Sequence, residues 1–93
     1  MQCLQANEVL TEMNKLNSSW KLNLNVIERE FVFKDFKNAF SFMTNVAAIA
    51  ERLNHHPEWT NIYNTVIIKL NTHELGCLTE LDFTLAREID VLI

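Results

Sequence analysis

Ninety-three residues, 48% of them hydrophobic, are enough for one domain but sit near the lower limit for a self-sufficient core, so association between copies is an expected supplement. A formal charge of −4 with no Lys/Arg cluster excludes the dense basic face that a phosphate backbone requires, so direct DNA or RNA binding is not expected. No apolar run approaches the ~20 residues of a membrane span, the N-terminus lacks the basic and apolar regions of a signal peptide, and two cysteines are too few for a disulfide framework. These features predict a cytoplasmic chain with no membrane partner, a single domain over residues 1–93, and reduced thiols at Cys3 and Cys77.

Val9, Met13 and Leu16 recur at helical spacing after Asn7, which can cap a helix over 7–16, and Asn17-Ser18-Ser19 supplies the break. Trp20, Leu22 and Leu24 then alternate with Lys21 and Asn23, and Ile27, Phe31 and Phe33 alternate with Glu28 and Glu30. Period two marks two strands, with a turn around Asn23 to Asn25, and their closeness in the chain makes them an antiparallel hairpin.

From Asp35 to about Leu53 runs the longest helical pattern, without Gly or Pro. Phe36, Phe40, Met43, Ala47 and Ala50 share one stripe, and Phe42, Val46, Ile49 and Leu53 form its neighbour, so about half the circumference is apolar at 100° per residue. One sheet does not need so wide a face. A wide core helix accounts for it, and so does packing of one stripe on a partner copy, for which Phe42 and Ile49 are the test positions.

Pro57 disfavours the α conformation at His56, so the helix should stop near Asn54 and the chain run extended through His55 and His56. Trp59 to Tyr63 and Val66 to Leu70 read as two further strands with a turn near Asn64 and Thr65. After His73 and Gly76, Thr79 with Asp82 three residues on resembles a capping box, and Leu81, Leu85, Ile89 and Leu92 make one apolar stripe to the C-terminus. The order is helix, then strand-strand-helix twice. This predicts a two-layer α+β fold, a four-stranded antiparallel sheet with helices on one face.

All three histidines, the only Pro and the only Gly fall between Glu51 and Asp82. Neighbouring side chains of an extended segment point to opposite sides, so His55 and His56 are poorly placed to share a metal, and no HExxH or CxxC spacing is present. Nucleophilic chemistry at Cys77 has only residue types in its favour. General acid–base work fits better, since imidazole titrates near neutral pH and needs no cofactor to move a proton. Glu51 stands four residues before His55, on one helix face if the last turn persists, and so can orient that ring.

These residues also carry a resemblance. The pattern Glu-x-x-x-His-His-Pro-x-Trp, Tyr-x-x-Val, Thr-His and Gly-Leu-Thr-x-x-Asp belongs to the pterin-4a-carbinolamine dehydratase family. Here it is carried by Glu51, His55, His56, Pro57, Trp59, Tyr63, Val66, Thr72, His73, Leu78, Thr79 and Asp82, and FKDFKNAFSFMTNVA over Phe33 to Ala47 resembles the animal-type members. Many members have Gly-Gly before Leu-Thr, where this chain has Gly76-Cys77.

The resemblance implies loss of water from a 4a-hydroxytetrahydropterin to give a quinonoid dihydropterin, in tetrahydrobiopterin recycling, with no metal and no redox cofactor, the pterin being the substrate. It implies His55, His56 and His73 as catalytic groups, Glu51 and Asp82 in support, and Trp59, Asn71 and Thr72 at the pterin, the backbone near Asn71 and Thr72 holding its amide-like edge. It further implies a homodimer or homotetramer. Animal members also serve as dimerisation cofactors of a homeodomain transcription factor, so a transcription-factor partner, with a nuclear location beside the cytoplasmic one, is the alternative expectation.

Overall fold

The computed structural model describes residues 1–93. Three helices and four strands follow in the order α1 (Ala6–Met13), β1 (Lys21–Asn23), β2 (Val26–Val32), α2 (Phe36–Leu53), β3 (Glu58–Ile62), β4 (Thr65–Leu70) and α3 (Glu80–Val91). The strands form one antiparallel sheet in the order β1-β2-β4-β3. Two hairpins are thus joined side by side through β2 and β4, from Ile27 opposite Leu70 to Val32 opposite Thr65.

Alternation along the strands sends Ile27 and Phe31 of β2 and Val66, Ile68 and Leu70 of β4 to one face. There they meet Ala39, Phe42 and Val46 of α2 and Phe83, Leu85, Ala86 and Ile89 of α3 in a single core. Full burial of a side chain such as Phe83 contributes roughly 1.5–3 kcal/mol. The opposite sheet face carries no helix. Across it Lys21, Glu28, Lys69 and Glu58 stand in register, one from each strand, with alternating sign.

Several boundaries differ from the sequence expectation. Helix α1 begins earlier, because the Glu8 carboxylate accepts the Gln5 N–H at 2.8 Å and Gln5 takes the cap position, leaving Asn7 inside the helix. The second hairpin turns at Tyr63 and Asn64 rather than Asn64 and Thr65. Tyr63 adopts the left-handed region (φ 51°), and Asn64 is tied to the end of β2 by its backbone carbonyl and its side-chain amide, which exchange hydrogen bonds with Phe33.

The two stripes of α2 are assigned by the structure in the sense opposite to the test positions. Phe42 is only 6% exposed and lies 4.8 and 4.9 Å, ring centre to ring centre, from Phe31 and Phe33. Phe36 and Phe40 are instead 50% and 54% exposed. Small Ala39 lets α2 approach the core closely, and Ala50, grouped by spacing with Phe36 and Phe40, is buried as well, so the buried face cuts across the two stripes.

The cysteines are not free thiols. Cys3 and Cys77, 74 residues apart, are joined by a disulfide with a Cα–Cα distance of 5.7 Å. The N-terminal segment runs beside the chain leading into α3, where Leu4 N–H donates to the Leu78 carbonyl at 2.9 Å, and this brings residue 3 opposite residue 77. A count of two cysteines carries no information about such an approach.

Candidate active site

The site is built at the end of the sheet where β4 leaves it. Helix α2 stops at Asn54, which takes the left-handed conformation (φ 51°) suited to Asn at a helix C-terminus. The His55 N–H then reaches back to the Ala50 carbonyl at 3.0 Å, and this bond turns His55 inward. Pro57 follows at once and prevents the helix from continuing through the pair.

On the other side, β4 ends at Leu70, and Asn71 and Thr72 lead into a tight loop. The Thr72 carbonyl accepts from the N–H groups of Leu75 and Gly76, and the Thr72 N–H donates to the Cys77 carbonyl at 2.9 Å. Gly76 has φ +67°, a conformation that glycine adopts without a Cβ penalty, so the only glycine of the chain closes this loop. Thr79 then caps α3 by the box foreseen from its spacing, with Asp82 at the third helical position.

Asp82 does more than cap. Its fully buried carboxylate accepts from the Thr79 N–H at 2.9 Å and the Thr72 hydroxyl at 2.8 Å, and its Oδ1 lies 2.6 Å from His55 Nε2. The Thr72 and Thr79 hydroxyls are also bonded to each other at 2.8 Å. A carboxylate is an acceptor, so His55 presents Nε2–H to it, and this is the one hydrogen bond the His55 ring makes within the protein.

Glu51 was expected to orient His55, and it does not. Its Oε2 lies 2.6 Å from His56 Nε2, in an exposed pair whose side chains are 77% and 57% accessible. The helix ends before His55, so the four-residue spacing no longer places the two on one face. His55 turns into the protein and His56 turns out.

His55, His56 and His73 nevertheless line one cavity of about 100 Å³ together with Asn54, Asn71 and Glu74. Through Asn71 and His73 it adjoins a larger cleft of about 350 Å³, to which Asn25, Glu28, Glu58 and Lys69 contribute. Asn71 is held there by its side-chain amide, which donates to the Asn25 carbonyl.

Two residues assigned to the ligand by resemblance make contacts of their own within the protein. Trp59 stands opposite Ile68 in the sheet and packs, half-buried, on the core. Thr72 is buried, and its N–H, carbonyl and hydroxyl are all engaged within the protein, so its backbone is not an open edge for a ligand. Asp82 was legible as a helix cap. Its bond to His55 joins positions 27 apart and had no sequence signal. No three of the His, Cys, Asp and Glu side chains converge as metal ligands.

Fold and cleft together define an α+β protein with three imidazoles around a polar cavity, one of them fixed by a buried carboxylate. The sequence profile described as pterin 4 alpha carbinolamine dehydratase matches residues 2–92, and the chain belongs to that family. A protein of Prochlorococcus marinus subsp. pastoris, provisionally named a pterin-4-alpha-carbinolamine dehydratase, is 52% identical over 87 residues, covering 94% of this chain and 91% of its own. A relative with the same provisional name from Sulfurisphaera tokodaii is 45% identical over 93 residues, covering 100% of this chain and 99% of its own.

Among solved structures, a transcriptional coactivator/pterin dehydratase from Brucella melitensis superposes with a TM-score of 0.93 at 40% identity over 98% of both chains. A pterin dehydratase-like protein identified as a RuBisCO assembly factor in the α-carboxysome superposes with a TM-score of 0.66 at 25% identity over 80% of this chain and 88% of its own.

Proposed function

We propose that this protein dehydrates a 4a-hydroxytetrahydropterin to the quinonoid dihydropterin. The observation that carries the reading is the His55–Asp82 pair, which fixes one imidazole by a buried carboxylate at the edge of a cavity that His56 and His73 also line. The reaction breaks the C4a–O bond. The hydroxyl takes up a proton and leaves as water, while a ring N–H of the pterin gives up a proton, so one acid and one base suffice and no electrons are exchanged with the protein.

His55 Nδ1 is the base or acid of fixed tautomer, since Asp82 holds the Nε2 proton and compensates the positive charge when the ring takes a second one. His73, exposed on the loop, is the partner that exchanges its proton with water between turnovers. His56, paired to Glu51 at the rim, assists in binding. Asn71 offers an amide to the heterocycle. Family membership supports the substrate class, and tetrahydropterin recycling in the cytoplasm is the setting in which such an activity is useful. The chemistry asks for neither metal nor redox cofactor. Purified protein should accelerate dehydration of 4a-hydroxytetrahydropterin generated in the cuvette, and a rate equal to the uncatalysed one would reject the reading.

A second reading is favoured by Phe36 and Phe40, which leave an aromatic pair exposed on α2 with ring centres 5.9 Å apart. On this reading the chain is a homodimer or homotetramer that docks a protein partner, as a transcriptional dimerisation cofactor would, and the role is compatible with catalysis.

A further inference from the structure

We infer that Cys3 and Cys77 form a reversible thiol–disulfide site whose redox state sets the position of His73. This rests on the dehydratase reading for its effect on rate, and on the disulfide alone for its effect on structure. His73 sits in a short loop with two ends of different character. The Thr72 end is buried and locked by its hydroxyl to Asp82 and Thr79. The Cys77 end is half-buried and is held by the disulfide, by the backbone bond from Thr72, and by the Asn25 side chain, which donates to the Gly76 carbonyl.

His73, Glu74, Leu75 and Gly76 between those ends are exposed. The side chains of His73, Glu74 and Leu75 make no hydrogen bond within the protein, and the turn is closed by backbone bonds from the Leu75 and Gly76 N–H groups to the Thr72 carbonyl and from the Gly76 N–H to the His73 carbonyl, so its placement on the protein rests on its two ends. The disulfide also ties down the N-terminal segment, where Leu4 packs against the core and its N–H bonds to Leu78, immediately beyond Cys77. Opening the bond frees residues 1–3 and leaves the Leu4 N–H bond to Leu78 and the packing of Leu4 on the core to hold that segment against the loop. Segments with few buried contacts are the ones that open locally.

Cys3 is exposed, so its sulfur is open to a small thiolate. The chemistry is ordinary exchange. A thiolate of a dithiol attacks one sulfur of the Cys3–Cys77 bond, the second thiol of the reagent resolves the mixed disulfide, and the products are two protein thiols and the oxidised reagent. The reverse reaction with a low-molecular-weight disulfide restores the bond and releases two small thiols. In the closed state His73 lines the cavity with His55. In the open state its loop samples other positions, and catalysis loses the alignment of the two imidazoles.

The test compares the full chain treated with oxidised glutathione, the same chain treated with dithiothreitol, and the Cys3→Ser variant. Alkylation and intact mass should find no free thiol in the first and two in the second. The dehydration rate should fall on the order of 10-fold on reduction, the scale of a modest misalignment. Cys3→Ser should match the reduced protein and not respond to dithiothreitol. By nitrogen-15 NMR, the His73 ring signals should move on reduction while those of His55 remain. Two alkylated cysteines after oxidation would overturn the proposal, as would equal rates together with unmoved His73 signals. Moved His73 signals in a protein inactive in both states would support the switch and reject the dehydratase reading instead.

Discussion

His55 and Asp82 are 27 residues apart and meet at 2.6 Å, and that contact is the joint between the two halves of the site. The helix end that presents His55 and the helix start that presents Asp82 are fixed by independent local signals, and the buried carboxylate links them. Asp82→Asn replaces an acceptor pair by an amide, so the Nε2–H tautomer of His55 is no longer enforced and the Thr72 and Thr79 donors lose a charged partner. The expected result is a dehydration rate lower on the order of 10²-fold, with a loss of about 1–3 kcal/mol in a urea titration. His55→Ala removes one of the three donors to the buried carboxylate, which keeps Thr72 and Thr79, and should cost about 1–3 kcal/mol as well.

His73 separates catalysis from stability. Its side chain is exposed and makes no hydrogen bond, so His73→Ala should leave the unfolding free energy within about 0.5 kcal/mol of the parent. The rate should drop on the order of 10²-fold. Glu51→Gln, by contrast, removes only the exposed bond to His56, and both rate and stability should change little, by under about 1 kcal/mol. Parent-like rates in folded His73→Ala and His55→Ala would leave the proposed assignment without support.

The outer stripe of α2 gives a paired test of assembly. Phe42→Glu places a carboxylate among Phe31, Phe33 and the rest of the core, and the chain should fail to fold stably. Phe40→Glu changes a side chain that is already half in water, so circular dichroism should be unaltered while analytical ultracentrifugation shows smaller species. Sedimentation identical to the parent would remove that stripe as an interface.

Glu12 supplies the pH dependence. Its carboxyl is held below the usual glutamate range, chiefly by a hydrogen bond from Lys15, with Arg87 of α3 adding to this and partial burial opposing it. A carboxylate with a depressed native value contributes stability that is complete above the ordinary glutamate value and is lost as pH falls through the depressed one. Glu12→Gln should therefore lower thermal stability near neutral pH and flatten the acid limb of the stability curve in that window. A variant whose acid limb parallels the parent's would show that the α1–α3 link does not contribute in this way.

The core-facing strands illustrate how much was legible. Ile27 and Phe31, or Val66, Ile68 and Leu70, declare both strand and face through their period of two, and Asp35 to Leu53 declares a helix through its apolar spacing and lack of breakers. Pro57 announced the end of α2, and the Thr79–Asp82 spacing announced the start of α3. These are short-range matters in which each residue acts on its own backbone neighbours. Histidine enrichment with the chain's only Pro and Gly marked the site for the same reason, since loops that present polar groups need those residues.

What the sequence left open are contacts between distant segments and choices between equivalent surfaces. Which α2 stripe faces the core depended on the sheet and α3 against which it packs. Glu51 paired with His56 instead of His55 because the chain leaves the helix at Asn54 and the periodic rule ceases to apply. Cys3 met Cys77, and Asp82 met His55, because α3 and the segments beside it return to the far end of the sheet. Local propensity acts over a few residues, whereas these pairings are set by how the hairpins and helices dock to bury a common core, so only the tertiary structure decided them.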